Sequence, residues 1–210
     1  MNNVERLFLN SVNAEAFTKG YFDYLLQLLH RLDTKAIDSF IEELELAYDR
    51  ESTIFIAGNG GSAATASHMA NDLGMDVLKK GGSAKPFRAL ALTDNTSLVT
   101  AIGNDDGYHN IFVNQLRIHY RPQDLLIVIS ASGNSPNVVA AARWVKDRGG
   151  KVMGLVGFDG GELKTACDIL IHVETPKGEY GPVEDVHMVM DHLVANYLQY
   201  KQQKENGLLG

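Results

Sequence analysis

After residue 50 the chain is punctuated by five short apolar runs, often β-branched: TIFIA (53–57), FRALAL (87–92), LLIVIS (125–130), KVMGLV (151–156) and ILIHV (169–173). They are nearly continuous rather than alternating, as strands buried on both faces of a parallel sheet must be. Stretches of helical character separate most of them. This alternation predicts an α/β fold, a three-layer sandwich in which a five-stranded parallel sheet is flanked by helices. Ahead of the first strand, Tyr21, Leu25, Leu28 and Leu29 recur at helical spacing. Ile37, Phe40, Ile41 and Leu44 repeat the pattern behind a cap at Asp33. Two amphipathic helices therefore form an N-terminal extension over residues 1–50. Val186, Val189, Met190, Leu193 and Leu198 mark the apolar side of a long last helix, from Val183 to Gln203, and the tail KQQKENGLLG reads as frayed. KKGGSAK, at 79–85, reads as a moving surface loop.

A length of 210 residues, 45% of them hydrophobic, suits one domain spanning 1–210 with a full core. The formal net charge of -7 argues against nucleic acid and anionic membrane as partners, so recognition of a phosphate has to be local. Cys167 is the only cysteine, which excludes an internal disulfide and points to the cytoplasm. The opening MNNVERLFLN has no signal core, and no apolar run reaches the length of a membrane span.

Two strand-to-helix turns stand out. GNGGS (58–62) follows the first apolar run and ISASGNS (129–135) ends the third. In an open parallel sheet, ligands bind beyond the carboxyl ends of the strands. Glycine lets the backbone approach a ligand, and the helix that follows offers free N–H groups and the positive end of its dipole. The second turn adds Ser130, Ser132 and Ser135 ahead of a helix beginning near Pro136. Neither turn is a dinucleotide fingerprint or a P-loop. On the helix after GNGGS, His68 and Asp72 lie four residues apart and so share a face. Glu184, Asp185, His187 and His192 crowd the start of the last helix. Carboxylate and imidazole together serve proton transfer or bind a divalent ion such as zinc. Glu184 and His192 are about 12 Å apart along a straight helix, so Glu184 either reaches inward or serves a different target.

GNGGS, the helix carrying His68 and Asp72, AIGNDDGYHNIF, ISASGNSPNV, GLVGFDGGEL and VEDVHMVMDH, in this order, resemble the sugar isomerase (SIS) domain family and, within it, the phosphoheptose isomerases. The resemblance implies an aldose–ketose isomerase that converts sedoheptulose 7-phosphate to D-glycero-D-manno-heptose 7-phosphate. It implies that Ser130, Ser132 and Ser135 hold the phosphate, with Ala131 where Thr is frequent, and that Asn59, Gly60, Gly61, Asn104 and Asp105 line the sugar. It also implies a metal and acid–base group of His68, Asp72, Glu184 and His192 holding one zinc per subunit, and a homotetramer. Asp72 stands where the family has Glu, and Glu184 where it has Gln. Asp72 and Glu184 are thus alternative bases, both also substrate contacts, with His192 as the acid–base partner. The rival readings are an isomerase of another phosphosugar and a non-catalytic SIS protein, either a phosphosugar sensor or a factor associated with replication initiation.

Overall fold

The computed structural model describes residues 1–83 and 85–209. Three helices precede the sheet: α1 (Asn3–Asn10), α2 (Ala14–His30) and α3 (Thr34–Asp49). The periodicity reading gave two, and α1 is the addition. Its sequence is short, but Asn2 and Glu5 close a reciprocal capping box that satisfies its first N–H groups. Asp33 caps α3 as expected, accepting from the Lys35 and Ala36 amides.

All five apolar runs form strands: β1 (Thr53–Gly58), β2 (Arg88–Ala91), β3 (Leu125–Ser130), β4 (Lys151–Phe158) and β5 (Ile169–Glu174). Every pairing is parallel, and the order is β2-β1-β3-β4-β5. One apolar layer packs α2, α3 and the C-terminal helix against Ile54, Ile56, Ile127 and Leu155. The other packs helices against Phe55, Leu126, Val128 and Val156 from the same strands. Successive strand residues alternate between the layers, which is why the runs read as continuous. The second layer includes α6 (Thr96–Asp105), α7 (Val113–His119), α8 (Pro136–Lys146) and α9 (Leu163–Ala166).

α4 (Gly61–Asn71) continues through a π-helical turn, Asp72–Asp76, into α5 (Val77–Gly81). The long last helix, α10, runs Tyr180–Glu205. Two expectations are corrected here. Lys79 and Lys80 are helical, and the C-terminal segment is not frayed, because the two hold each other: Gln203 donates to the Lys80 carbonyl (2.7 Å) and Asn206 to that of Gly81 (3.1 Å). Of KKGGSAK, Ala84 lies outside the described residues. The apolar side of α10 also divides: Val186, Met190 and Leu198 are buried, whereas Val189 and Leu193 are each 42% exposed. No helix among the described residues is long and apolar enough to cross a membrane.

Candidate active site

In the order β2-β1-β3-β4-β5 the chain reverses its direction of winding between β1 and β3. At such a switch point the helices on either side leave a crevice at the carboxyl edge of the sheet, where ligands bind. GNGGS leaves β1 and ISASGNS leaves β3, so the two turns flank that crevice. Gly60 has φ 54, a left-handed conformation that side chains resist, and it hands β1 over to α4 within two residues.

The turns are bolted together. Asn59 Nδ2 donates to Asn137 Oδ1 (2.8 Å), and Asn137 Nδ2 returns the bond to Asn59 Oδ1 (2.9 Å). The Tyr108 hydroxyl adds a third bond to Asn59 Oδ1 (3.0 Å). Asn59 keeps one N–H to offer a ligand, in a direction fixed by its partners. Asn104 and Asp105 sit in the last turn of α6 rather than in a loop, and both are exposed. The 3₁₀ turn that follows them carries Tyr108.

In the serine turn, Ser130 is buried at the end of β3, and its Oγ lies 3.3 Å from that of Ser135. Ser132 Oγ accepts from the Asn134 amide (3.2 Å). Ser135 is the N-cap of α8 but makes no side-chain cap bond, so its hydroxyl is available at a helix N-terminus. Ala131 is buried and contributes only its backbone, accepting from the Gly157 amide (3.0 Å). Gly133 has φ 62, and a Cβ there would collide with the Gly160 backbone, which fixes the loop's curvature.

The acid and imidazole residues divide into two places. His68 and Asp72 on α4 and its π-turn meet His192 from α10, with one donor atom of each within 4.8 Å of the others. His68 Nε2 is 3.1 Å from His192 Nε2 and 3.4 Å from Asp72 Oδ2. The π-turn beginning at Asp72 inserts an extra residue where the helix passes the site, a frequent device at functional positions. Two donors each about 2.05 Å from a tetrahedral ion stand about 3.3 Å apart. The two separations fall on either side of that value, and the N, N, O set suits zinc, so these residues fit a divalent ion.

Glu184 is not in that cluster. One turn into α10, its carboxylate lies against the first residue of α4, where a Cβ on Gly61 would strike both oxygens. It is half-buried and accepts no hydrogen bond among the described residues. Burial raises its pKa, and neighbouring Asp185 adds to the shift. The start of α10 that carries it is pinned from the N-terminal extension. Tyr21 donates to Asp185 (2.6 Å), while buried Glu179 accepts from the Tyr24 hydroxyl and the Asn3 amide.

The SIS domain family matches residues 20–157. The phosphoheptose isomerase of Rhodospirillum rubrum is 39% identical over 146 residues, which cover 70% of this chain and 75% of that protein. That of Aneurinibacillus thermoaerophilus is 38% identical over 170 residues, 81% of this chain and 79% of its own. This chain belongs to the phosphoheptose isomerase family of SIS-domain proteins. Its structure superposes on the phosphoheptose isomerase of Neisseria gonorrhoeae with a TM-score of 0.78 at 28% identity, covering 90% of this chain and 100% of that one. The NanR protein of Vibrio vulnificus, solved with ManNAc-6P, shares the fold alone, at 16% identity and a TM-score of 0.64.

In this phosphoheptose isomerase fold, Asn137, Tyr108 and Asp191 went unread in the sequence, and His187 was read only as one of the acid and imidazole group that opens α10. Asn137 and Tyr108 orient Asn59, and nothing in their local spacing marks them. His187 and Asp191 are both buried in α10, at 0% and 1% exposure. They carry four of the seven buried side-chain atoms without a hydrogen-bond partner among the described residues. Burial takes His187 down to about 4, against a weaker opposing pull from the Val156 backbone, and takes Asp191 up to about 7, with Asp72 adding to the rise. Both fall in phase with Val183, Val186, Met190 and Val194, and polar residues at apolar phase were the available signal.

Proposed function

We propose that this chain interconverts sedoheptulose 7-phosphate and D-glycero-D-manno-heptose 7-phosphate, the reaction that its resemblance to the phosphoheptose isomerases implies. The observation that carries the reading is the meeting at Gly61 of the locked pair of turns with the Glu184 carboxylate, which accepts no hydrogen bond among the described residues, while further along the same two helices lies the His68, Asp72, His192 cluster. The serine turn holds the phosphate with neutral donors, Ser130, Ser132 and Ser135, together with the N-terminus of α8. That anchor places the sugar along Asn59, Gly60 and Gly61, with Asn104 and Asp105 toward the far end, and so brings the reacting carbons to Glu184.

An aldose–ketose isomerisation moves one proton between adjacent carbons and one between the attached oxygens, through an enediol. It needs a base and a means of bearing negative charge on oxygen, and no external oxidant or reductant. We assign the base to Glu184 rather than Asp72. Glu184 has no competing partner among the described residues and a raised affinity for protons, whereas Asp72 is turned toward His68. Glu184 takes the proton from one carbon and returns it to the other. His68, Asp72 and His192 would hold a zinc ion, one per subunit, whose chemistry when bound is to polarise the substrate oxygens.

The working molecule we propose is a cytoplasmic homotetramer in which residues 1–210 act as one domain. Leu28, Phe40, Ile41 and Leu44, from the apolar stripes of the N-terminal helices, cover the chain's own sheet and are not free to pack against another subunit. Other residues support assembly: Phe22 and Leu26 on α2, and Val189, Leu193, Tyr197 and Tyr200 on α10 beside His192, are all at least 42% exposed. Incubation with sedoheptulose 7-phosphate, followed by NMR of the sugar, tests the reading. The expected product is a heptose 7-phosphate of the same mass. Turnover only of a pentose or hexose phosphate would change the substrate, and tight phosphosugar binding without turnover of any would make the protein a sensor.

A further inference from the structure

The serine turn is held from its neighbour as well as from its own strand. The loop that joins β4 to α9, residues 159–162, runs beside it at the carboxyl edge of the sheet. At either end of that loop the two backbones are tied directly: the Gly157 amide donates to the Ala131 carbonyl (3.0 Å), and the Leu163 amide to that of Gly133 (3.1 Å). Between these ties the connection passes through one side chain. Asn134 Oδ1 accepts from the Glu162 amide (2.9 Å), while its Nδ2 donates to the Ser132 carbonyl (3.0 Å). The Asn134 main-chain N–H donates to Ser132 Oγ (3.2 Å), so this one residue grips Ser132 at both its carbonyl and its hydroxyl.

The loop is itself fixed. Phe158, at the end of β4, is buried and has φ 51, a left-handed conformation that costs a bulky residue energy. Its carbonyl is held by His172 Nε2 of β5 (3.0 Å), which must be the donor there. Asp159 Oδ1 accepts from the Gly161 amide (3.1 Å), and Glu162 pairs with Arg143 of α8, the helix that follows the serine turn. Gly161 has φ 52, and a Cβ on it would lie 2.5 Å from both the Ser132 carbonyl oxygen and Asn134 Nδ2. Loop and turn thus touch without room for a side chain between them.

We propose that Asn134 is a positioning residue for the phosphate subsite, acting through Ser132. The proposal rests on the reading of the serine turn as the phosphate anchor. A serine hydroxyl has one proton and two lone pairs. With the Asn134 N–H on one lone pair, and no acceptor for its own proton among the described residues, the Ser132 hydroxyl is set to donate to an anion. The two side-chain bonds of Asn134 keep that N–H in place by referring it to the β4–α9 loop. Phosphate recognition by neutral donors depends on such prior orientation, because no basic residue is there to draw the anion in.

The experiment measures affinity for sedoheptulose 7-phosphate by calorimetric titration, with initial-rate kinetics and thermal unfolding, for wild type, Asn134→Ala, Ser132→Ala and the double variant. Asn134→Ala is expected to weaken binding and raise KM roughly 5–30-fold, the worth of one to two ordinary hydrogen bonds, with kcat changed less than KM. The thermal midpoint should move little, since the Asn134 side chain is exposed. Because Asn134 acts through Ser132, the double variant should bind about as Ser132→Ala does alone, which a merely structural residue would not give. If Asn134→Ala does not fold, Asn134→Asp serves: it keeps the acceptor for Glu162, loses the donor to Ser132 and should also bind more weakly than wild type. Normal affinity in a variant lacking all three serine hydroxyls overturns the phosphate reading, and this inference with it. Where that triple variant is weakened, normal affinity in Ser132→Ala or in the Asn134 variants, or additive losses in the double variant, overturns this inference alone.

Discussion

The crevice between β1 and β3 and the seam between α4 and α10 meet at Gly61, yet they are built by opposite rules. In the crevice, neutral polar groups satisfy one another: Asn59 with Asn137 and Tyr108, Ser130 with Ser135, and Asn134 with Ser132 and the Glu162 amide. In the seam, charged or titratable groups lie close together with few partners: His68 faces His192, Glu184 presses on Gly61, and His187 and Asp191 have none among the described residues. The difference separates two tasks. A preformed neutral crevice can grip a phosphate in a protein of net charge -7 without a basic field, and it costs no reorganisation when the ligand arrives. Proton transfer needs groups whose charge state is not already committed, and a poorly partnered seam supplies them.

If that division holds, substitutions in the two regions should strike different kinetic constants. The largest effect is expected at Glu184. Glu184→Gln keeps size and polarity but removes the base, so kcat should fall about 10²–10⁴-fold with KM little changed. In the wild type, the acid limb of the kcat–pH profile should lie above the ordinary glutamate range, because burial and Asp185 both raise Glu184. A Glu184→Gln variant with near-normal kcat would return the base to Asp72. In the crevice, Ser130→Ala, Ser132→Ala and Ser135→Ala should each weaken phosphosugar binding by about 1.5–3 kcal/mol, the usual worth of a hydrogen bond to a charged group. Calorimetric titration with the phosphosugar would detect it. A triple variant with normal affinity would move the phosphate to GNGGS and dissolve the contrast.

How much of this was legible beforehand follows from where the physics is local. The strands could be read because burial on both faces leaves no polar alternation, and the turns because glycine and serine at strand ends have few other uses. The switch point could not be read, since strand order depends on long-range pairing. On α10 the period was visible but its phase was not: Val189 and Leu193 are apolar yet outward, while His187 and Asp191 are polar yet inward. The positions of His68, Asp72 and Glu184 relative to one another depend on a π-turn and on the helix start held by Tyr21 and Glu179, neither of which leaves a spacing signature.

The smallest expected effect concerns His187 and asks whether the seam's lack of partners carries a thermodynamic cost. Buried, with only the weaker pull of the Val156 backbone to oppose it, the imidazole is held down to about 4 from an ordinary 6.5, so between those values the unfolded chain binds a proton that the folded chain refuses. Stability contributed by keeping His187 neutral is therefore complete above about pH 6.5 and is lost as pH falls toward 4. His187→Leu removes the titration and keeps an apolar group of similar size in the same pocket. The stability difference between variant and wild type should then shift in the variant's favour by about 2 kcal/mol from pH 7 to pH 5. Urea unfolding at the two pH values, on zinc-free protein in both cases, gives that difference directly and cancels every other titrating group the two chains share. A difference that stays constant with pH would mean that His187 finds partners in solution, and the seam would then be as well satisfied as the crevice.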